Sequence, residues 1–320
     1  MAGYLLKRLS GAVVVLFLTA LLLAAAVHLV PGDPARAVLG AHATPQLIAQ
    51  VRLKMGLDKP VLVQLWDFFS GLLRGDLGTD FVGGVPVTTL IGQALPDTLA
   101  LAFASIILAV AGGLPLGIAV ARRPGGILDR LTHGLSMIFV SAPAYVTSLI
   151  LLLIFAVKLR YLPAMGAGQF SDPVNYLARL ILPATALAMF WWGYLPRILR
   201  STMLEVLGTQ YIRSARAFGF RETVIFYRYA LRNAVLPIVA LFGLMVGYSL
   251  TGTVFAETIF GRSGLGTLAL SAIDQRNWPV IRGVVFTYAL FFIIANILAD
   301  LSYRMLDPRV RLTEEFETGA

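Results

Sequence analysis

The sequence predicts an all-α, polytopic membrane protein with six transmembrane helices. Three observations carry this expectation. Hydrophobic residues make up 58% of the 320. Charged residues make up only 13%, about half the roughly 25% of a soluble domain. The apolar residues also gather into six stretches close to the about 20 residues that a bilayer-spanning helix needs. A soluble fold of this length would need an unusually large core, whereas a chain that crosses a bilayer repeatedly needs apolar side chains toward lipid as well as inward. Cysteine is absent, which excludes a disulfide framework, an iron–sulfur cluster and a thiolate metal site. The net charge of +9 acquires meaning only from the side of the membrane on which the basic residues fall.

In chain order the stretches are Leu9–Val30, Thr98–Ala121, Gly134–Val157, Leu177–Leu195, Val235–Phe255 and Ile281–Leu301. The first follows Lys7 and Arg8, as a signal peptide would. Its apolar run is longer than a signal h-region, and Pro31-Gly32-Asp33-Pro34 is a turn rather than a small-residue cleavage site. It reads as a retained helix. With the N-terminus inside, most of the 26 basic residues fall on the cytoplasmic side, among them Arg122, Arg123, Arg130, Arg197, Arg200, Arg304 and the arginines between the fourth and fifth spans. The long outer segment Ala35–Pro96 obeys that rule weakly, as translocated segments do. The basic balance therefore reflects topology, with a lipid bilayer and no nucleic acid as partner.

Within the outer segment, Leu47, Val51, Leu62, Leu65, Trp66 and Phe69 have spacings that suit short amphipathic helices between Pro45 and Arg74. No repeat and no flexible linker interrupts the chain. The expected organisation is an N-terminal transmembrane helix in 1–34, an extracytoplasmic segment in 35–96, a five-helix membrane core in 97–306 and a cytoplasmic tail in 307–320.

Between the fourth and fifth spans the loop 200–233 is long and strongly basic, yet patterned. Ile212, Ala215 and Phe218 recur at helical spacing, as do Val224, Tyr227 and Leu231, and Gly219 stands where a first short helix would end in a left-handed cap. Phe218, Phe220, Phe226 and Tyr227 beside arginines form a mixture enriched at the energetic centres of protein interfaces. The same features also suit an amphipathic hairpin resting on the anionic inner leaflet. Chemistry alone leaves both open.

The loop resembles the "EAA" segment of ABC importer permeases, in which E-A-A, three residues and a glycine form the helix that couples to the ATPase. Here Arg213-Ser214-Ala215 occupies the tripeptide and Gly219 the glycine. The usual I-x-L-P falls on Tyr229-Ala230-Leu231-Arg232, and Leu236-Pro237 follows later. This departure is similar to the dipeptide and oligopeptide branch, in its first (B-type) permease subunit. The same branch is resembled by Leu29-Val-Pro-Gly-Asp-Pro34, Leu95-Pro-Asp-Thr98, Phe255-Ala-Glu-Thr-Ile-Phe-Gly-Arg-Ser-Gly-Leu-Gly266 and Leu306-Asp-Pro-Arg309. The resemblance implies a type I ABC importer (MetI-like) permease fold with an N-terminal extracytoplasmic extension, in a bacterial inner (plasma) membrane with both termini cytoplasmic. It implies a second homologous permease subunit, one or two nucleotide-binding ATPase subunits and an extracytoplasmic substrate-binding protein as partners. It further implies di- or oligopeptide as substrate, with nickel complexes, glutathione or haem as alternatives. No cofactor is expected on this chain; ATP and Mg2+ belong to the partner ATPases. In the coupling segment, Ile212, Arg213, Ser214, Ala215, Arg216, Phe218, Gly219, Phe220 and Arg221 are the expected contacts, with Phe218 and Phe220 as apolar anchors and Arg213, Arg216 and Arg221 setting orientation.

Within the spans, Gly112-Gly113-x-Pro115-x-Gly117 and Gly243-x-x-x-Gly247 clear one helix face so that neighbours approach closely. The weaker reading is that these positions let helices rock during transport. Ser141-Ala-Pro143-Ala-Tyr145 breaks helix regularity, and Pro143, Tyr145, Gly243 and Gly247 are the candidates for a translocation path. Asn296, Asp300 and Arg304 share one face of the last span, where Asp and Arg four apart usually pair. Glu257 and Asp97, at the outer ends of spans, read as solvated carboxylates.

Enzyme readings lack their parts. Gly261-Arg-Ser263-Gly264 matches the G-x-S-G of rhomboid-like proteases, but the histidines are His28, His42 and His133, none of which follows Ser263 to serve as its base. There is no H-E-x-x-H, and the lysines at 7, 54, 59 and 158 follow no glycine-rich phosphate loop. An ion-coupled carrier would call for a buried acidic residue near the midplane of an expected span, and none has one.

Overall fold

A computed structural model describes residues 2–29, 34–39, 44–55 and 58–306 of the chain. The turn residues Pro31, Gly32 and Asp33, His42, the segment Asp307 to Arg309 with the rest of the tail 307–320, and the side chain of Arg304 lie outside the described residues.

The helices in chain order are α1 (Ala2–Leu29), α2 (Pro34–Leu39), α3 (Pro45–Met55), α4 (Val61–Leu73), α5 (Val87–Arg122), α6 (Ile127–Ser141), α7 (Ala144–Leu151), α8 (Pro173–Leu207), α9 (Gln210–Ala217), α10 (Glu222–Val224), α11 (Leu231–Ala234), α12 (Leu236–Ala240), α13 (Phe242–Ile259), α14 (Leu265–Asp274) and α15 (Trp278–Leu306). π-helical turns extend α7 over Leu152–Lys158 and join α10 to α11 over Ile225–Ala230. Among the described residues the only strand-like pairing is an isolated bridge between Thr79 and Pro86.

Among the described residues, three helices are long and apolar enough to cross a membrane alone, Val87–Arg122, Pro173–Leu207 and Trp278–Ser302, and the count rises to five if two bent pairs each form one span. α1, a shorter apolar helix over Arg8–Leu23, follows the expected first span as far as Leu29. The expected third span is not one straight helix: Ile127–Ser141 and Ala144–Lys158 diverge by 107°. The cause is local. Pro143 disfavours the helical basin for the residue before it, and Ala142 sits extended at φ −78°, ψ 120°. The expected fifth span is likewise bent, by 45° between Glu222–Ala240 and Phe242–Ile259.

The described residues form two compact units, Met1–Thr98 with Ser263–Ile293 and Leu99–Arg262 with Ile294–Ala320. In the first, α4 places Leu65 beside Ala20, with Phe68 and Phe69 packed around them, and Phe69 stacks on Phe17 at 5.7 Å. Leu65 and Phe69 thus turn inward as their spacing suggests, whereas Leu62 and Trp66 stay exposed at 78% and 73%. α5 begins well ahead of the expected Thr98, because Val87, Ile91 and Ala94 at helical spacing bury against Leu265, Ala272, Val280 and Val284. Polar residues between them hide this face from a hydropathy reading. Thr98 is fully buried, and its Oγ1 accepts the Leu265 N–H at 2.8 Å, satisfying a donor at the start of α14.

In the second unit α8 is the central helix. Asp172 caps it, its Oδ1 accepting the Asn175 N–H at 3.2 Å. Trp191, Leu195, Leu199 and Met203 line a core completed by Ile106, Ala230, Ala234, Ile238 and Met245. The glycines of α5 receive α8 side by side: a Cβ at Gly112 would stand 2.4 Å from Trp192 Nε1, one at Gly113 3.0 Å from Leu195 and one at Gly117 3.0 Å from Leu199. These glycines serve close helix packing in this structure.

Candidate functional site

The loop after α8 is an ordered helical hairpin. Thr209 opens α9, which turns Ile212 and Ala215 inward and leaves Gln210, Tyr211, Arg213, Ser214 and Arg216 exposed. At its C-terminus Gly219 takes φ +79°. The Phe220 N–H reaches the Ala215 carbonyl at 3.2 Å and the Gly219 N–H the Arg216 carbonyl at 2.9 Å. This is the paired bonding of a Schellman cap, and it requires the left-handed residue that Gly219 supplies. The expected left-handed end is therefore present at Gly219.

Beyond the cap the chain reverses. Ile212, Ala215 and Ile225 form a small core with Leu207 and Tyr229 against it, and the Phe220 ring lies 5.7 Å from that of Tyr229. Two details differ from the helical periodicity of the sequence. Phe218 does not continue the inward face of Ile212 and Ala215; α9 ends at Ala217, and Phe218 is 82% exposed. In the second arm the buried residues are Ile225, Ala230 and Ala234 rather than Val224, Tyr227 and Leu231. The π-helical turn over Ile225–Ala230 inserts extra backbone into the turn and rotates the face.

The hairpin is tied within itself and to its surroundings in the same unit. Arg216 spans the glycine turn to Glu222, Nε to Oε1 at 2.7 Å and Nη2 to Oε2 at 3.4 Å. Glu222, by hydrogen bond, pushes the Arg216 guanidinium pKa further up and holds it charged. Arg216 is thus committed inside the loop, while Arg213 and Arg221 are exposed. Asn233 donates to Tyr211 Oη at 2.9 Å, and Arg122 donates to Tyr227 Oη at 3.3 Å. Higher on α8, Arg200 grips Asp129 of α6 through Nε–Oδ1 at 2.7 Å and Nη2–Oδ2 at 2.8 Å, and Asp129 Oδ2 also accepts the Gly125 N–H at 2.7 Å. Thr202 donates to the Ala234 carbonyl at 3.1 Å. The outward face of the hairpin carries Phe218, Phe220 (47% exposed) and Tyr211 among arginines, an apolar and cationic surface held on a rigid frame.

Both kinds of tie have measurable weight. The Arg216–Glu222 pair is solvent-exposed, so Glu222→Ala is expected to lower the stability of the assembled protein by less than about 1 kcal/mol, with the difference fading in high salt. Asp129→Asn removes the carboxylate from a largely enclosed bidentate contact and is expected to cost about 1–3 kcal/mol. Thermal melting of the detergent-solubilised complex at low and high salt checks both; a larger loss for Glu222→Ala than for Asp129→Asn would contradict this ranking.

The expected path residues divide. Pro143 sits exposed at the α6–α7 bend, and Tyr145, 47% exposed, faces Phe255 with ring centroids 6.3 Å apart. Gly243 is buried, and a Cβ there would stand 2.5 Å from Asn296 Oδ1. Its face is closed by a neighbouring helix rather than open to a passage. Gly247 is half-buried, and its carbonyl accepts the Thr251 hydroxyl at 3.0 Å.

Two features escaped the sequence. Phe190 stacks on Tyr248 at 4.3 Å, Trp191 meets both edge-on at 5.2 and 5.7 Å, and Arg197 lies over Tyr194 at 5.6 Å. The dense aromatic run Phe190-Trp-Trp-Gly-Tyr194 was the available signal. Glu257, expected to be solvated, is fully buried inside α13, one helix turn from the buried Arg262, whose Nη2 donates to Tyr176 Oη at 3.2 Å. Nothing in local polarity distinguishes such a carboxylate from a surface one. Asp97 likewise lies within α5, half-buried, and not in a loop. Ser263 is exposed in the turn before α14, and the described residues contain no group of His, Cys, Asp or Glu that could hold a metal ion.

Comparison with known proteins locates this architecture. Residues 113–312 match the family model "Binding-protein-dependent transport system inner membrane component", and residues 1–102 match the N-terminal model of the same kind of membrane component. The chain is 36% identical to a probable peptide ABC transporter permease protein, y4tP, of Sinorhizobium fredii, over 97% of this chain and 100% of that one. It is 38% identical to the glutathione transport system permease protein GsiC of Salmonella typhimurium, over 97% and 99% of the two chains. Among solved structures, the inward-facing MetNI methionine ABC transporter superposes with a TM-score of 0.56 at 20% identity, over 68% of this chain and 96% of that one. That likeness shows the fold.

Proposed function

The chain belongs to the binding-protein-dependent transport system inner membrane components, the permeases of ABC importers, and from that premise we propose that it forms, with a second permease, the path for uptake of di- or oligopeptides. The carrying observation is the α9 hairpin: a Schellman-closed helix with Phe218 and Phe220 outward and an internal core beneath. A surface meant to transmit force must be stiff, and this one is braced through Arg200–Asp129 and Thr202–Ala234. Its apolar, arginine-flanked face suits a groove on a soluble partner better than lipid, because Ile212 and Ala215, the apolar residues an interfacial helix would turn to the bilayer, are spent on the loop's own core.

On this reading an extracytoplasmic binding protein delivers peptide, partner ATPases that hold ATP and Mg2+ supply the closing stroke, and residues Ile212 to Arg221 pass it into α8 and α13. Phe218 and Phe220 anchor, Arg213 and Arg221 orient, and Arg216 holds the hairpin's shape through Glu222. Both termini and the hairpin lie on the cytoplasmic side, and the segment 35–96 lies outside. The chain itself carries out no catalysis. A second substrate, glutathione, has a specific support in the 38% identity to GsiC.

The test is co-reconstitution in proteoliposomes of this chain with the second permease, ATPases and binding protein that co-purify with it. ATP-dependent uptake of a labelled dipeptide is expected, and glutathione uptake in its place would select the second substrate. Absence of ATP-dependent uptake of either, from an intact complex, would overturn the proposal. Ser263→Ala is expected to leave uptake within twofold of the parent; loss of a proteolytic activity in that variant would revive a serine-based chemistry.

A further inference from the structure

In the first compact unit, a half-open cleft of about 230 Å³ lies between α4, the turn that follows it and the start of α15. Arg282, Phe68, Lys59, Asp67, Asp76 and Thr79 are among its walls. Arg282 is half-buried, its guanidinium carbon 5.9 Å from the centre of the Phe68 ring. Its Nε is closed off from solvent without an acceptor, and no carboxylate pairs with it among the described residues. A guanidinium in such a place lacks what normally offsets its desolvation, and an anion entering the cleft would provide it. Phe68 holds the planar fork from behind, as aromatic rings do for arginine.

The other charges in the cleft sort by partner. Lys59 is occupied by Asp67, Nζ to Oδ2 at 2.6 Å. The Asp67 hydrogen bond holds the Lys59 ammonium pKa up. Asp76 is exposed and accepts only the Gly78 N–H, at 2.8 Å, with no cation beside it among the described residues. What remains is one open cation, Arg282, and one open anion, Asp76. The volume is below the roughly 300–1,000 Å³ that encloses a drug-sized ligand, so the cleft receives a small head group rather than a whole long molecule.

We propose that this cleft binds a small zwitterion, Arg282 holding its oxyanion and Asp76 its ammonium. Free short peptides have this chemistry, and so does a phosphatidylethanolamine head group. The inference deepens the peptide reading and rests on it only in the choice of probe.

The experiment uses the assembled complex, without its binding protein, in nanodiscs of phosphatidylglycerol or of phosphatidylethanolamine. Phenylglyoxal modifies accessible guanidinium groups, and peptide mapping by mass spectrometry reads its rate at Arg282, with Arg160, exposed and outside the α9 hairpin, as the internal reference. Trialanine is expected to slow modification of Arg282 at least threefold in phosphatidylglycerol discs and leave Arg160 unchanged, whereas trialanine amide and N-acetyl-trialanine protect weakly. Slowing in phosphatidylethanolamine discs without peptide also supports the site and identifies the lipid as its source. Asp76→Asn, which keeps an acceptor for Gly78, is expected to erase the preference for trialanine over its N-acetyl form. Equal rates at Arg282 in every arm, or equal protection by all three peptides in the parent, would overturn the proposal. The footprint needs neither ATP nor transport. A complex that protects Arg282 but takes up no peptide would therefore sink the substrate reading alone, and one that transports without protection would sink the cleft alone.

Discussion

Gly219→Val is expected to reduce ATP-driven uptake about tenfold in the reconstituted complex, with a matching fall in transport-coupled ATP hydrolysis. Space is not the reason, since a Cβ at Gly219 would meet nothing within 4 Å. Conformation is. At φ +79° an L residue pays about 1–2 kcal/mol, more for a β-branched side chain, and about 1.4 kcal/mol is a tenfold change in population. The strained loop relaxes by giving up the Phe220–Ala215 and Gly219–Arg216 bonds, which moves Phe218 and Phe220 together. Gly219→Asn, whose short polar side chain tolerates left-handed backbone, should retain most of the activity. Normal uptake and normal coupled hydrolysis by the valine variant would refute the coupling role of this hairpin. If both variants assemble with the ATPase in parental amounts and differ in uptake, the defect lies in transmission rather than in folding.

Gly112→Ala is expected to be the most damaging single methyl in the membrane core. The added carbon would stand 2.4 Å from Trp192 Nε1 and 2.8 Å from Cε2. The indole cannot simply swing away, because its N–H donates to the Leu108 carbonyl at 2.8 Å. Either α5 and α8 separate or that bond is lost. Overpacking of this kind costs about 1–3 kcal/mol, and a hydrogen bond given up adds about 1 kcal/mol. The expected outcome is a marked drop in melting temperature and in yield of the purified complex. Gly112→Ala combined with Trp192→Leu, which opens the space, should recover part of the loss. A double variant no more stable than the sum of the two singles would show that the clash is not the cause.

Both predictions depend on glycines that are visible in the sequence, but for different reasons. Gly219 was legible because a left-handed helix end is a local event, fixed by a few residues and their own backbone bonds. The cluster Gly112, Gly113 and Gly117 was legible as a close-packing face, yet its partners Trp192, Leu195 and Leu199 were not, since no rule of spacing names the helix on the other side. Gly243 shows the same limit. It was open to reading as part of a passage, and only the position of Asn296 closes that face. The π-helical turn over Ile225–Ala230 shifted which residues of the hairpin are buried, a one-residue change that periodicity does not announce.

What the sequence by itself determined is the set of quantities governed by transfer from water to lipid and by local backbone geometry. These are the all-α class, the positions of the apolar segments, the break at Pro143 and the capped helix ending at Gly219. Such terms depend on composition and on neighbours a few residues away. Only the tertiary structure decided the early start of α5, the burial of Glu257 and Arg262, and the open charge of Arg282. Each of these depends on residues distant in the chain meeting in space. A charged side chain carries the same letter whether water, a carboxylate or an empty cleft lies beside it.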